Sequence, residues 1–285
     1  MTNRLKLLLG IMILMGGIAV WSHWYDNHKI TVKTAHYSIN SSANMLQTTH
    51  IGEAAESLYS AYIDFFSNTI PVIKKHHTLL KMNLYGNKYE FTAINRSSSW
   101  AEAFYQEPFC YAYYPEGESN PYHWMIHEGT HQLNNEVSHF KLLPWIDEGL
   151  ATYFSASKIV SGKLLPGQIA LDAYPIYWLS TLSLTGNISI DISKGKIIPL
   201  RSLIKGTGGP DINRHFNLYY IHYWSLTHFL FNYKDGKYSA GYRKLISEGG
   251  SLNGFEKLIG PADTVQEEWY QYLQQIIAEV HTMRS

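Results

Sequence analysis

The chain has 285 residues, with 23 Lys and Arg against 23 Asp and Glu, so its formal charge is zero before any contribution from 14 histidines. That balance leaves no basic field for a nucleic-acid backbone, and no nucleic-acid partner is expected. A charged fraction of 16% beside 45% hydrophobic and 14% aromatic residues excludes extensive disorder, and a single cysteine, Cys110, excludes an intrachain disulfide or a cysteine-built metal site.

At the N-terminus Arg4 and Lys6 precede an apolar run over 7–21, in the order of a secretory signal. No good small-x-small cleavage site follows. Residues 1–29 are therefore expected to form an uncleaved signal-anchor, with a cleaved signal peptide as the alternative. A single-pass protein held at the membrane through this segment, with residues 30–285 outside the cytoplasm (periplasmic or extracellular), is the expectation; secretion is the alternative.

Beyond it the pattern is mixed α and β. Residues 51–68 place Ala55, Leu58, Tyr62 and Phe65 at helical spacing, 79–85 alternates like a strand up to a Gly86-Asn87 turn, and 109–114 reads as a second strand. Asn120-Pro121 reads as a helix start, and the segment from Pro144 to about residue 160 is again helical. A looser, turn-rich region runs to about 214, where Gly206 to Pro210 reads as a mobile loop and a candidate cleft lid. Helical periodicity returns at 217–231, 242–247 and 264–280. The expected fold class is α+β, an N-terminal α/β lobe followed by a mostly helical lobe, with a cleft between.

Residues 127–131 read HEGTH. Histidines at i and i+4 lie on one helix face about 6 Å apart, so His127 and His131 can reach one zinc ion while Glu128 projects toward its water. Sixteen residues separate His131 from Glu148 in Trp145-Ile146-Asp147-Glu148-Gly149, enough to end one helix, turn and present a third ligand from the next. Two neutral imidazoles and one carboxylate leave an open fourth position, the catalytic arrangement for zinc. Asp147 and Glu136 are competing ligands. Asp147 lies about 100° round its helix from Glu148, and Glu136 lies close to His131 in sequence. His123 shares the stripe, but about 12 Å of helix separates it from His131, so it reads as cleft wall.

An HExxH followed by glutamate in a W-x-x-E-G-x-A setting resembles the gluzincin zinc metallopeptidases, the thermolysin-like peptidase MA superfamily. Leu143-Pro144-Trp145 with Glu148 to Phe154 is similar to the LPxWxxEGxAxYF segment of bacterial peptidase MA-like domains, and Tyr220, Trp224, Leu226, Phe229 and Leu230 match a later helix of that group. The resemblance implies a zincin-like fold over 30–285 and one zinc on His127, His131 and Glu148. It further implies Glu128 as general base, Tyr220 as a hydrogen-bond donor to the oxyanion, and hydrolysis of a peptide or protein substrate.

Thr152 stands where many gluzincins have a histidine-orienting aspartate, so the groups behind the ligands must differ. Asn134 and Val137 exclude the metzincin pattern. No Gly-x-Met-Glu-Asn segment occurs, which leaves endopeptidase as the default over aminopeptidase. A non-catalytic zincin-like binding domain and a zinc hydrolase of a non-protein amide are the alternatives. Tyr153, His222 and Cys110 read as structural, and Tyr220 reads as well for core packing as for a donor.

Overall fold

The computed structural model describes residues 29–67, 78–98 and 101–284. Strands β1 (Ile30–Lys33) and β2 (Tyr37–Ser41) pair antiparallel. Helix α1 (Met45–Phe66) then crosses to β3 (Leu80–Tyr85), parallel to β2, as a crossover between parallel strands requires. After helix α2 (Lys88–Ile94), the hairpin of β4 (Ala103–Gln106) and β5 (Phe109–Tyr113) sets β5 parallel to β3 and leaves β4 as the antiparallel edge. The order of this mixed sheet is β1-β2-β3-β5-β4.

Helix α1 starts six residues before the expected position because Asn44 caps it. Its side chain accepts from the Gln47 amide at 2.9 Å, and Gln47 Oε1 accepts from the Asn44 amide at 3.2 Å. Ile51, Ala55, Leu58, Tyr62 and Phe66 then recur at helical spacing and are fully buried, the helix packing on the sheet and on the later helix His123–Gln132. Each of the large ones contributes roughly 1.5–3 kcal/mol of transfer free energy.

Helix α3 (His123–Gln132) begins three residues after Asn120, whose side chain accepts from the Tyr122 amide at 3.3 Å and so shapes the preceding turn instead of capping the helix. It continues into one π-helical turn, Leu133–Val137, closed by the Ser138 amide on the Leu133 carbonyl at 3.0 Å. Helix α4 (Pro144–Ser155) has proline in its first turn and is pinned by the Trp145 indole, which donates to the Gly250 carbonyl at 2.9 Å. It stops short of the expected end: Ser157 Oγ donates to the Tyr153 carbonyl and accepts from the Gly167 amide, opening the hairpin of β6 (Ser157–Val160) and β7 (Lys163–Ile169).

The looser region contains short helices α5 (Ile188–Ser193) and α6 (Leu200–Lys205), and the helical lobe is α7 (Phe216–Asn232), α8 (Ser239–Ser247), α9 (Leu252–Leu258) and α10 (Ala262–Arg284). One buried cluster runs from Tyr37 to Val280, so sheet and helical lobe share a core. The expectation of a mixed α+β fold is met at that level.

The membrane expectation is corrected. Among the described residues no helix is long and apolar enough to cross a membrane. The long helices α1 and α10 have one apolar face and carry charges on the other, and α7, which has no Asp, Glu, Lys or Arg, has only 17 residues and is mostly buried among its neighbours. This stands against the single-pass membrane protein expected from the sequence. The 7–21 run on which that expectation rested lies outside the described residues.

Candidate metal centre

Three helices build the site. The first half of α3 presents His127 and Glu128, its last turn presents His131, the first turns of α4 present Asp147 and Glu148, and α7 presents Tyr220. Close approach is possible because two contacts fall on glycine. A Cβ on Gly129 would lie 2.8 Å from Leu58 Cδ2 of α1, and one on Gly149 would lie 2.3 Å from Thr227 Oγ1 of α7.

One ligand atom from each of His127, His131 and Glu148 lies within 4.8 Å of the others. The Nε2 atoms of the two histidines are 3.3 Å apart. Glu148 Oε2 is 3.3 Å from His127 Nε2 and 3.7 Å from His131 Nε2. A tetrahedral ion with bonds of about 2.0–2.1 Å holds its ligand atoms about 3.3–3.4 Å apart, so the triangle has the size that zinc needs. The protonation pattern fits as well. His131 Nδ1 lies 3.0 Å from Asp147 Oδ2 and donates to it, which in the neutral ring leaves a lone pair on Nε2 facing the other two ligands. Glu148 Oε2 is buried without a hydrogen-bond partner of its own. With both rings neutral and their Nε2 atoms unprotonated, the state in which they can ligate, three acceptors converge at one point, an arrangement matched to a cation.

Charge follows the same geometry. Burial opposes charge on His131, but Glu148 and Asp147 outweigh it and raise the pKa well above the ordinary imidazole value. Burial likewise works to raise Glu148, yet His131 and His127 hold it well below the carboxylate range. Glu128 is raised, by burial first and by Glu148, against the pull of His127, His131 and a backbone hydrogen bond from Tyr105. A carboxyl shifted upward is a stronger base toward water than an ordinary glutamate.

The site opens into a cavity of about 1170 Å³ whose walls include β4, Trp124, Tyr174, Phe216 and Tyr220. The Tyr220 ring lies 6.2 Å from that of His127. Burial, and then the negative charge of Glu148, raise its pKa and keep it protonated.

The competing residues have other partners. Asp147 pairs with His131 from the Nδ1 side, and Glu136 Oε1 accepts from Tyr105 Oη and Gln132 Nε2, each at 3.1 Å. His123 is buried and donates from Nδ1 to the Ser155 carbonyl at 3.0 Å. His222 and Cys110 are fully buried, and Tyr153 very nearly so. The loop at 206–210 is held by the Tyr219 hydroxyl, which donates to the Pro210 carbonyl, and Ile212 and Asn213 beyond it reach the cavity. Sequence reasoning missed two contributions: the pairing of Asp147, and the aromatic wall of Tyr174, Tyr177 and Trp178 from the turn-rich region.

No family model matches the chain, and no curated protein matches it. The gluzincin resemblance therefore rests on the sequence motifs alone.

Proposed function

We propose that the chain is a zinc-dependent peptidase of the gluzincin kind with a zincin-like fold, an endopeptidase that binds one zinc on His127, His131 and Glu148. The observation that carries this reading is the spacing of the three ligand atoms, 3.3, 3.3 and 3.7 Å, beside a general-base carboxyl and an open cleft. When bound, the metal supplies a Lewis acid that acidifies water and polarises a carbonyl. Glu128 takes the proton of the attacking water and returns it to the leaving amine, so that no free acid or base is needed. Tyr220 donates a hydrogen bond to the carbonyl oxygen as it gains charge.

Two features favour a peptide as substrate. Among the described residues strand β4 has a partner on one side only, and it borders the cleft, where an extended peptide can add as a further strand. Tyr177, Ile212 and Phe216 are each more than 40% exposed and all line this cavity. Large apolar surface left open around a polar centre favours apolar side chains in the substrate.

Metal analysis of the purified chain, with a mixed-peptide cleavage screen run with and without chelator, tests the proposal. One zinc per chain, chelator-sensitive cleavage, and a Glu128→Gln variant that keeps zinc and loses hydrolysis are expected. Zinc without peptide cleavage would replace it with hydrolysis of a non-protein amide. A chain that takes up no zinc would leave a zincin-like binding surface.

A further inference from the structure

The His131 ring is held from both edges by consecutive residues of one helix. Asp147 Oδ2 stands 3.0 Å from Nδ1 and Glu148 Oε2 stands 3.7 Å from Nε2. His127 has no counterpart, because its Nδ1 is buried without a hydrogen-bond partner. Asp147 is itself anchored. Its Oδ1 accepts from Asn134 Nδ2 at 2.8 Å, and Asn134 Oδ1 accepts from the Tyr62 hydroxyl at 2.9 Å. Tyr62 is fully buried and Asn134 is 3% exposed.

The polarity of this chain admits one arrangement. A carboxylate only accepts, so the amide nitrogen of Asn134 faces Asp147 and its oxygen faces Tyr62. The Tyr62 hydroxyl is placed to donate to that oxygen and to Ser138 Oγ, each at 2.9 Å, and shares its single proton between them. Asn134 reaches Asp147 because it sits in the π-helical turn that follows the HExxH segment, where the wider ring of backbone hydrogen bonds redirects the chain.

We propose that Tyr62, Asn134 and Asp147 are positioning residues that fix the orientation and tautomer of His131 for metal, so that zinc affinity is set in part from α1, a helix that contributes no ligand. The inference rests on the metal site proposed above. A ligand's ring is useful only when its lone pair points at the ion, and partners on the far ring nitrogen typically change metal affinity by about 10–100-fold. Asp147 thus does from position 147 what the absent aspartate at Thr152 would have done. Thr152 instead returns its hydroxyl to the Glu148 and Gly149 carbonyls of its own helix.

Zinc affinity, measured with the purified chain against a competing chromophoric chelator, provides the test, together with the visible spectrum of the cobalt-loaded protein and the melting temperature of the metal-free protein. Asp147→Ala is expected to weaken zinc about 10–100-fold and to alter the cobalt spectrum. Asp147→Asn, which keeps one oxygen for the Nδ1 proton, recovers part of the loss. Asn134→Ala and Tyr62→Phe weaken zinc by progressively smaller factors. A purely structural role would lower the melting temperature of these variants and leave zinc affinity and the cobalt spectrum of the folded protein unchanged, and that result would overturn the inference. A wild-type chain that binds no zinc would overturn the metal site itself, so the two failures are distinct.

Discussion

Tyr220 meets the site through its ring, 6.2 Å from that of His127, and through the charge of nearby Glu148. A phenol kept protonated by burial and a neighbouring carboxylate is a donor at any working pH, and it meets a carbonyl oxygen best when that oxygen carries charge. Tyr220→Phe is therefore expected to lower kcat about 100-fold with KM and zinc content little changed. A loss of less than about threefold would reduce Tyr220 to a wall residue. His127, Glu128 and His131 were legible in the sequence because helical spacing alone puts them together. Glu148 needed only the length of a turn. Asp147 was weighed as a ligand and set aside on its angle round the helix. That angle is what brings it to the opposite edge of the His131 ring, a contact that depends on how α3 and α4 cross.

The crossing of α4 and α7 depends on one missing methyl group. At Gly149 a Cβ would meet Thr227 Oγ1 at 2.3 Å and the Tyr223 carbonyl at 3.2 Å, and Thr227 cannot rotate away freely because its hydroxyl bonds Tyr242 at 3.0 Å. Alanine is the better helix former by about 1 kcal/mol, but the overpacking typically costs about 1–3 kcal/mol. Gly149→Ala should lower stability in denaturant unfolding and weaken zinc, since Glu148 moves with its helix. An unchanged or raised midpoint would show that α7 yields at no cost. Helices with a full apolar stripe, α1 and α7, were visible in the sequence by period. The edge strands β1 and β4 have only four residues each, too few for alternation to stand out. The end of α4 was hidden because no Gly or Pro separates it from β6, and only the Ser157 side chain marks the change.

Across the whole molecule, the shared core encloses histidines that serve as neutral hydrogen-bonding groups. His222 donates from Nδ1 to the Leu218 carbonyl at 2.6 Å and accepts the Ile198 amide on Nε2 at 3.2 Å. His228 donates from Nε2 to the Gly167 carbonyl at 3.1 Å and accepts from the Tyr272 hydroxyl at 2.9 Å. Burial lowers the pKa of each to about 4, and that of His123 to about 3. In the unfolded chain each titrates near about 6.5. Between these limits the unfolded chain binds more protons than the folded one, so stability must fall as pH falls. Each histidine contributes a slope of about 1.4 kcal/mol per pH unit, starting near pH 6.5 and ending only when the folded ring itself takes a proton near 4 or below. Above that window all three are neutral in both states and contribute no slope. Urea unfolding at pH 7, 6 and 5 is expected to show a midpoint that already falls between pH 7 and 6 and falls more steeply between 6 and 5, with uptake of close to one proton per buried histidine on unfolding at pH 5. A midpoint unchanged from pH 7 to 5 would mean that these rings carry protons inside the fold. Their hydrogen bonds would then have to be redrawn, because a protonated imidazole has no acceptor to offer the Ile198 amide.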